Sequence, residues 1–326
     1  MTATLAPARS NPVATGMVDV SVLVPAKDEA DNLPEFMRLA GEAFAAAKET
    51  YEVVVVNDGS TDNSAAVLDR LAAEYPFLRV VTHRIQRGIA EALRSGYLAS
   101  RGRVLVFYPA DLQFLPEDIP RLVAPILADQ ADMVTGFKRG HYDKAFVSKV
   151  YNGLSRMLFD VPVRDLNSVK AYRREVMDAL PIRPDWHRYM IVIAAAHGFT
   201  VHEIPVALYP RRAGKSKFGI GRIPVGVLDM LSVWFELRFG QKPLLAFGML
   251  GAALFVVGLL TGVVTVAIRV FAGIGFRPLL TLIETCLVLG TILFVTGLLG
   301  EQIAQQRAEL RELRRELETR RTPHAD

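Results

Sequence analysis

Residues 104–116 read VLVFYPADLQFLP, and the way this stretch changes character in the middle decides the fold. Residues 104–108 are an apolar, β-rich run of the kind that forms a buried parallel strand. The run stops at Pro109-Ala110-Asp111-Leu112-Gln113, which sets a carboxylate and an amide at the strand's C-terminal edge. Ligands of open α/β sheets bind at that edge, and an Asp with an oxygen-bearing neighbour two residues on offers hard ligands to a divalent metal. An ordinary strand-to-loop turn with solvated polar residues would read the same way.

The same pattern recurs upstream. Residues 18–24 (VDVSVLV) form an apolar run closed by Pro25-Ala26-Lys27-Asp28-Glu29, and 33–48 follow with apolar residues at helical spacing. Residues 51–56 form a second strand ending in Asn57-Asp58-Gly59-Ser60-Thr61-Asp62, whose Gly allows a sharp turn and whose hydroxyls and acid can cap a helix over 64–74. Residues 78–82 are a third strand, followed by a loop with Arg87-Gly88 and a helix over 89–100. Strands alternating with helices of about three turns predict a doubly wound, mainly parallel α/β sheet. Glu29, Asp58 and Asp111 then converge along one edge, although each acid alone reads equally as a cap or a surface residue.

Downstream of Pro116 the pattern predicts a helix to 129, a short strand over 133–136, a loop and strand over 165–173, a helix opening at 185–189 and a last strand over 200–208. A helix over 145–159 follows the basic loop at Arg139 and carries Lys144, Ser148 and Asn152 along one face, as an anionic acceptor or a solvated surface would require. Residues 211–217 (RRAGKSK) combine Gly and Ser with four cations, a flexible anion-seeking loop.

Hydropathy is uneven: 51% of the 326 residues are hydrophobic, and most of the excess follows Pro243. Residues 223–239, with Trp234, suit the membrane interface, and 219–243 are assigned to interfacial helices. Residues 244–268 carry no charge and can span a bilayer, and 279–299 form a second span containing Glu284, so 244–300 make a hairpin. Arg238 and Lys242 before it and many Arg after it place both termini and the domain at 18–218 in the cytoplasm, making an integral membrane protein. From 301 to 326 a charged helix and tail follow. In it Ile303, Leu310 and Leu317 repeat at seven with Leu313 between and Gln306 on the seam, as in a short coiled coil or a lone helix touching headgroups.

Several classes are excluded. No G-x-G-x-x-G follows the first strand and no G-x-x-x-x-G-K-[ST] occurs, which disfavours dinucleotide oxidoreductases and P-loop NTPases. The single cysteine, Cys286, allows neither an internal disulfide nor a cysteine zinc site, and the His residues lack HExxH spacing. A net charge of +4 without aromatic-basic interleaving gives no sign of nucleic-acid binding. Residues 1–17 have no apolar core like a signal peptide's and are expected to be a disordered leader.

The ordered set VPAKDEADNL (24–33), VVNDGSTD (55–62), Arg87-Gly88, PADLQ (109–113), GFKRG (136–140), the Lys144/Ser148/Asn152 helix, RRAGKSKF (211–218) and GLLGE (297–301) resembles family 2 inverting glycosyltransferases of GT-A fold. Within that family it resembles the polyprenyl-phosphate glycosyltransferases that include dolichyl-phosphate mannose synthases, over roughly residues 18–300. The resemblance implies inverting transfer of a sugar from a UDP- or GDP-sugar to a membrane polyprenyl phosphate. Pro25, Ala26, Glu29 (ribose), Asp58 (base), Arg87, Gly88, Ala110, Asp111, Arg211 and Lys217 would contact the donor. Asp111 and Gln113 would hold Mg²⁺ or Mn²⁺. Arg139, Lys144, Ser148 and Asn152 would receive the acceptor phosphate, and Asp111, Gln113, Arg139 and Arg211 would carry the reaction. Asp185 lies near where other inverting members place a base, but a phosphate nucleophile needs none, so Asp185 is read as structural or sugar-binding. The family usually has Asp where this chain has Pro109, which removes one metal or sugar contact. A catalytically silent membrane scaffold is the competing reading. A processive polysaccharide synthase is disfavoured, since no Q-x-x-R-W occurs and two spans are few for a polymer channel. A homo-oligomer is compatible with the sequence.

Overall fold

The computed structural model describes residues 16–139, 164–180, 186–210, 223–273 and 277–321, together with residues 153, 155, 157–159 and 275. Two compact units emerge, Met1–Met230 and Leu231–Asp326, each described by itself.

The first unit is built on a seven-stranded sheet with β1 Val18–Ala26, β2 Tyr51–Asp58, β3 Leu78–His83, β4 Gly102–Phe107, β5 Met133–Arg139, β6 Lys170–Arg173 and β7 Val201–Ala207. Their order across the sheet is β3-β2-β1-β4-β6-β5-β7. β1 pairs in parallel with β2 and β4, β2 with β3, and β5 with β7. The short β6 runs antiparallel to both β4 and β5, so the remaining strands share one direction and their C-terminal ends share one edge. β2 is buried along its entire length, as expected of a central strand with both faces covered.

Helices α1 Leu33–Ala45, α2 Ser64–Glu74, α3 Ile89–Ala99 and α4 Ile119–Leu127 connect the strands, followed by α5 Arg174–Ala179 and α6 Met190–Ala196. The buried faces of α1 (Leu33, Phe36, Met37, Ala40) and α4 (Ile119, Leu122, Val123, Ile126) join β1, β2 and β4 in a single core. Several boundaries differ from the sequence reading: β5 extends three residues past Gly136, and the helix expected to open at 185–189 and end near 197–198 begins as a 3₁₀ turn, Trp186–Arg188, and continues as α6. The expected leader lies outside the described residues except for Gly16 and Met17.

The helix α7 Ile223–Phe239 matches the range read from sequence, and the division between units falls within it. In the second unit a π turn, Leu244–Gly248, opens α8 Met249–Ala272, and α9 runs unbroken from Arg277 to Arg321. Both are long and apolar enough to cross a membrane, over Leu244–Ala272 and Arg277–Leu310. α8 and α9 pack through small residues: a Cβ added at Gly251 would lie 2.6 Å from the Gly290 carbonyl oxygen, and one at Gly297 would lie 2.8 Å from the Gly248 nitrogen. Such contacts let helix backbones approach where burial of apolar surface gives no driving force. At the end away from the connecting loop, the Leu244 N–H donates to Glu301 Oε2 at 3.2 Å. The sequence reading separated the span ending at 299 from a helix beginning at 301. The two are one helix because Glu301 and its successors are strong helix formers and nothing caps the helix at Gly300.

Candidate active site

The C-terminal edge of the sheet gathers the loops after β1, β2 and β4. After β1 the chain turns through Asp28, whose φ of 54° is left-handed. Asp28 is held by the loop after β2: its N–H donates to Ser60 Oγ at 2.9 Å and its Oδ1 accepts the Thr61 N–H at 2.7 Å. Lys27 Nζ donates to the Gly59 carbonyl at 3.0 Å, and the Glu29 N–H to Ser64 Oγ at 3.1 Å. Glu29 Oε2 accepts Asn32 Nδ2 at 2.7 Å, which fixes its carboxylate beside the start of α1. Pro25 and Ala26 line the end of β1 itself.

Asp58 closes β2 and is buried. Its Oδ1 accepts the Arg87 N–H and its Oδ2 the Gly88 N–H, both at 2.8 Å, and His83 Nδ1 lies 2.8 Å from Oδ1. His83 Nε2 sits 2.9 Å from Ser95 Oγ, so the imidazole bridges Asp58 to α3. Three of the carboxylate's roughly four acceptor positions are thus taken by its own chain, and the acid acts first as the clasp of the loop at 84–88. Gly59 is required where that loop crosses: its φ is +64°, and a Cβ there would lie 2.5 Å from the Gln86 nitrogen.

The loop after β4 is pinned at both ends. The Tyr108 N–H donates to the Leu23 carbonyl at 3.0 Å, and its hydroxyl to the Leu115 carbonyl at 2.6 Å. Ala110, Leu112 and Phe114 enter the core. Leu112 is left-handed with φ 55°, and the Gln113 N–H donates to Asp111 Oδ1 at 3.2 Å across it. The Gln113 carbonyl accepts the Tyr209 N–H at 2.9 Å, which ties the chain two residues before Arg211 to this loop.

Arg139 ends β5 on the same edge, its guanidinium 5.9 Å from the Phe137 ring centre. The preceding Lys138 pairs with Asp165 at 3.2 Å. Lys144, Ser148, Asn152, Asp185, Arg211 and Lys217 lie outside the described residues.

Sequence reasoning did not single out three residues here. His83 is one, and only its place at the end of β3 could have drawn attention to it. Lys170 and His187 are the others. Lys170, in the short β6, pairs in register with Phe107 two residues before Pro109. It is fully buried, with its amine 5.6 Å from the Phe107 ring centre and donating to the Ser168 carbonyl at 2.7 Å. Burial pushes its pKa down to about 7. His187, packed edge-on to Phe107, is pushed down to about 3 by burial and by the neighbouring Arg188 and Lys170.

Among the described residues no group of three or more His, Cys, Asp or Glu could enclose a metal. The Asp111 carboxylate and Gln113 amide instead offer a sparse hard-oxygen set, and Pro109 adds no ligand. Mg²⁺ is commonly bound by one or two carboxylates with substrate phosphates and water completing the shell, so this donor set fits a metal shared with a diphosphate.

Residues 21–178 match the profile of glycosyl transferase family 2. The dodecaprenyl-phosphate galacturonate synthase of Rhizobium johnstonii is 27% identical over 322 residues, covering 94% of this chain and 93% of that protein. The undecaprenyl-phosphate 4-deoxy-4-formamido-L-arabinose transferase of Pseudomonas fluorescens is 30% identical over 307 residues, covering 90% and 86%. Among solved structures, glucosyl-3-phosphoglycerate synthase of Mycobacterium tuberculosis, in complex with Mn²⁺, UDP and glucosyl-3-phosphoglycerate, superposes with a TM-score of 0.52. That match is 20% identical and covers 67% of this chain and 80% of the other, a likeness of GT-A fold. A doubly wound sheet with its acids on one edge, a family profile across it and relatives aligned over nine-tenths of the chain lead to one assignment: the chain is a glycosyltransferase and belongs to glycosyl transferase family 2.

Proposed function

We propose that this protein transfers a sugar, with inversion, from a UDP- or GDP-sugar to a membrane polyprenyl phosphate. The observation that carries the reading is the meeting at one sheet edge of the Asp58-clasped loop, the pinned Asp111–Gln113 turn and Arg139. Relatives aligned over nearly their full length, both named for polyprenyl-phosphate sugar transfer, support the acceptor.

In this reading Glu29 meets the ribose, and the loop held by Asp58, with Arg87 and Gly88, meets the base. Pro25, Ala26 and Ala110 line the donor, with Arg211 and Lys217 on its phosphates. Asp111 and Gln113 hold Mg²⁺ or Mn²⁺, which when bound neutralises charge on the leaving diphosphate. Arg139, with Lys144, Ser148 and Asn152, binds the acceptor phosphate. A phosphate monoester has a second pKa of about 6, so at neutral pH it is already a nucleophile. Its oxygen attacks the anomeric carbon as the bond from that carbon to the nucleoside diphosphate breaks, and no proton need be removed. The work of the chain is to bring two anions together in line, which cations and fixed dipoles accomplish. In this reading 18–218 carry out transfer, 219–243 lie at the interface and 244–300 in the bilayer, and the cations flanking the hairpin favour a cytoplasmic site with both termini.

The test is transfer of radiolabelled sugar from a panel of UDP- and GDP-sugars into an organic-extractable product, using the full chain in nanodiscs with polyprenyl phosphate, with and without Mn²⁺. Metal-dependent product that is lost in Asp111→Ala but largely retained in Asp185→Asn supports the reading. No lipid-linked product from any donor would support the silent scaffold instead.

A further inference from the structure

Outside the apolar stretch, α9 continues as a charged helix from Glu301 to Arg321, about 30 Å at the usual helical rise. Ile303, Leu310 and Leu313 on this extension are 50%, 59% and 55% exposed, large apolar side chains that nothing among the described residues covers. Set in heptads, Ile303, Leu310 and Leu317 take the a positions, with Gln306, Leu313 and Arg320 at d. The flanking positions then sort by sign. Glu309 and Glu316 fall at g, while Arg307, Arg314 and Arg321 fall at e.

That sorting has a direction. In a parallel pair, each g residue faces the e residue five positions on in the partner helix, which gives Glu309 opposite Arg314 and Glu316 opposite Arg321. An antiparallel pair would set g against g and e against e, Glu on Glu and Arg on Arg. Only the parallel arrangement is complementary. Because α9 is unbroken, its extension leaves the bilayer in the same direction in every copy, so copies meeting side by side in one membrane are parallel. Arg307, whose partner position holds the neutral Gln302, is 3.6 Å from Glu236 of its own chain and is not needed across the seam.

We propose that residues 302–321 form a parallel coiled coil with the same segment of a second copy of this chain. So few heptads would be marginal for a free peptide. Here the helix is already nucleated by the span before it, and confinement to a membrane raises the effective concentration of copies. Gln306 and Arg320 at d positions weaken the seam, and the apolar a positions, Leu313 and the two g–e pairs hold it.

The inference goes beyond the transfer reaction and rests on the membrane-hairpin reading. The test uses full-length chains carrying Cys286→Ser, in native membranes, with cysteine introduced at Leu313 or, as a control on the outer face, at Ala308. Disulfide-linked dimer at Leu313→Cys is expected to exceed that at Ala308→Cys about tenfold, and equal yields at the two positions overturn the proposal. A charge exchange in the Leu313→Cys background is stricter. Glu309→Arg with Glu316→Arg in one chain, and Arg314→Glu with Arg321→Glu in a second of different mass, should each lose self-linking and link efficiently to one another. Two variants that each link to themselves as well as to one another overturn the proposal and favour a helix lying along the headgroups. Carbonate extraction of the same membranes checks the premise separately: chain retained in the pellet upholds it, whereas chain released to the supernatant overturns the hairpin and the enforced orientation together.

Discussion

The strand β2 carries a buried carboxylate near each end, and the two are handled in opposite ways. Glu52, at the N-terminal end, accepts the Ser21 hydroxyl at 2.6 Å, the Arg101 N–H at 2.6 Å and Arg101 Nε at 3.0 Å, with the Arg79 guanidinium at 3.7 Å. Asp58, six residues on, accepts only N–H groups: two from the backbone and one from an imidazole. At the first end charge is balanced by arginine and the site is closed. At the second the carboxylate shapes a loop, and among the described residues no arginine or lysine side chain is spent on it. On this strand the acid at the N-terminal end locks the sheet together, and the acid at the C-terminal end orders the loop that the proposed function places against the donor.

Substitutions separate these roles. The largest effect is expected at the ligand edge, where Asp111→Ala should lower transfer by about 10²–10³-fold in the nanodisc assay, with an unchanged unfolding midpoint. Next is the locking end. Glu52→Gln leaves Arg101 without its charge partner and should cost about 3–5 kcal/mol of stability, seen as a lower thermal midpoint, while protein still folded at low temperature keeps its turnover. Asp58→Asn falls between the two roles. An amide cannot accept all three N–H groups, so roughly 1–3 kcal/mol of loop order is lost, and the KM for the donor should rise more than kcat falls.

At neutral pH the smallest effect is a pH dependence, which grows only as the medium is acidified. His187 has a folded pKa of about 3, below its unfolded value of 6.5, so the unfolded chain takes up the proton first. Its contribution is therefore complete above pH 6.5 and is lost as the pH falls towards 3, by at most about 1.4 kcal/mol per unit. His187→Phe should flatten this part of the curve of thermal midpoint against pH, and an unchanged slope would rule out His187 as its source.

The first four strands and the acids at the ends of three of them were legible because each strand is a continuous apolar run broken sharply by polar residues, a local pattern. What was not legible depends on contacts distant in sequence. β6, the strand bearing Lys170, inserts antiparallel between β4 and β5, a matter of strand order that no run of residues records. The bond from His83 to Asp58 spans 25 residues, and nothing near His83 announces it. The unbroken α9 was hidden by Gly300, which reads as a helix end but sits inside the helix, where a Cβ would come 2.7 Å from Pro243 Cβ.

Leu112 bears on the thermodynamics of the turn that carries Asp111 and Gln113. A left-handed leucine costs about 1 kcal/mol or more that a glycine would not. With its side chain 2% exposed, the core holds the residue there, and the turn between Asp111 and Gln113 has few other shapes to sample. The conformational entropy of that turn is surrendered when the chain folds, so under the proposed function the affinity for a nucleotide-sugar would be partly set by a leucine packed in the core.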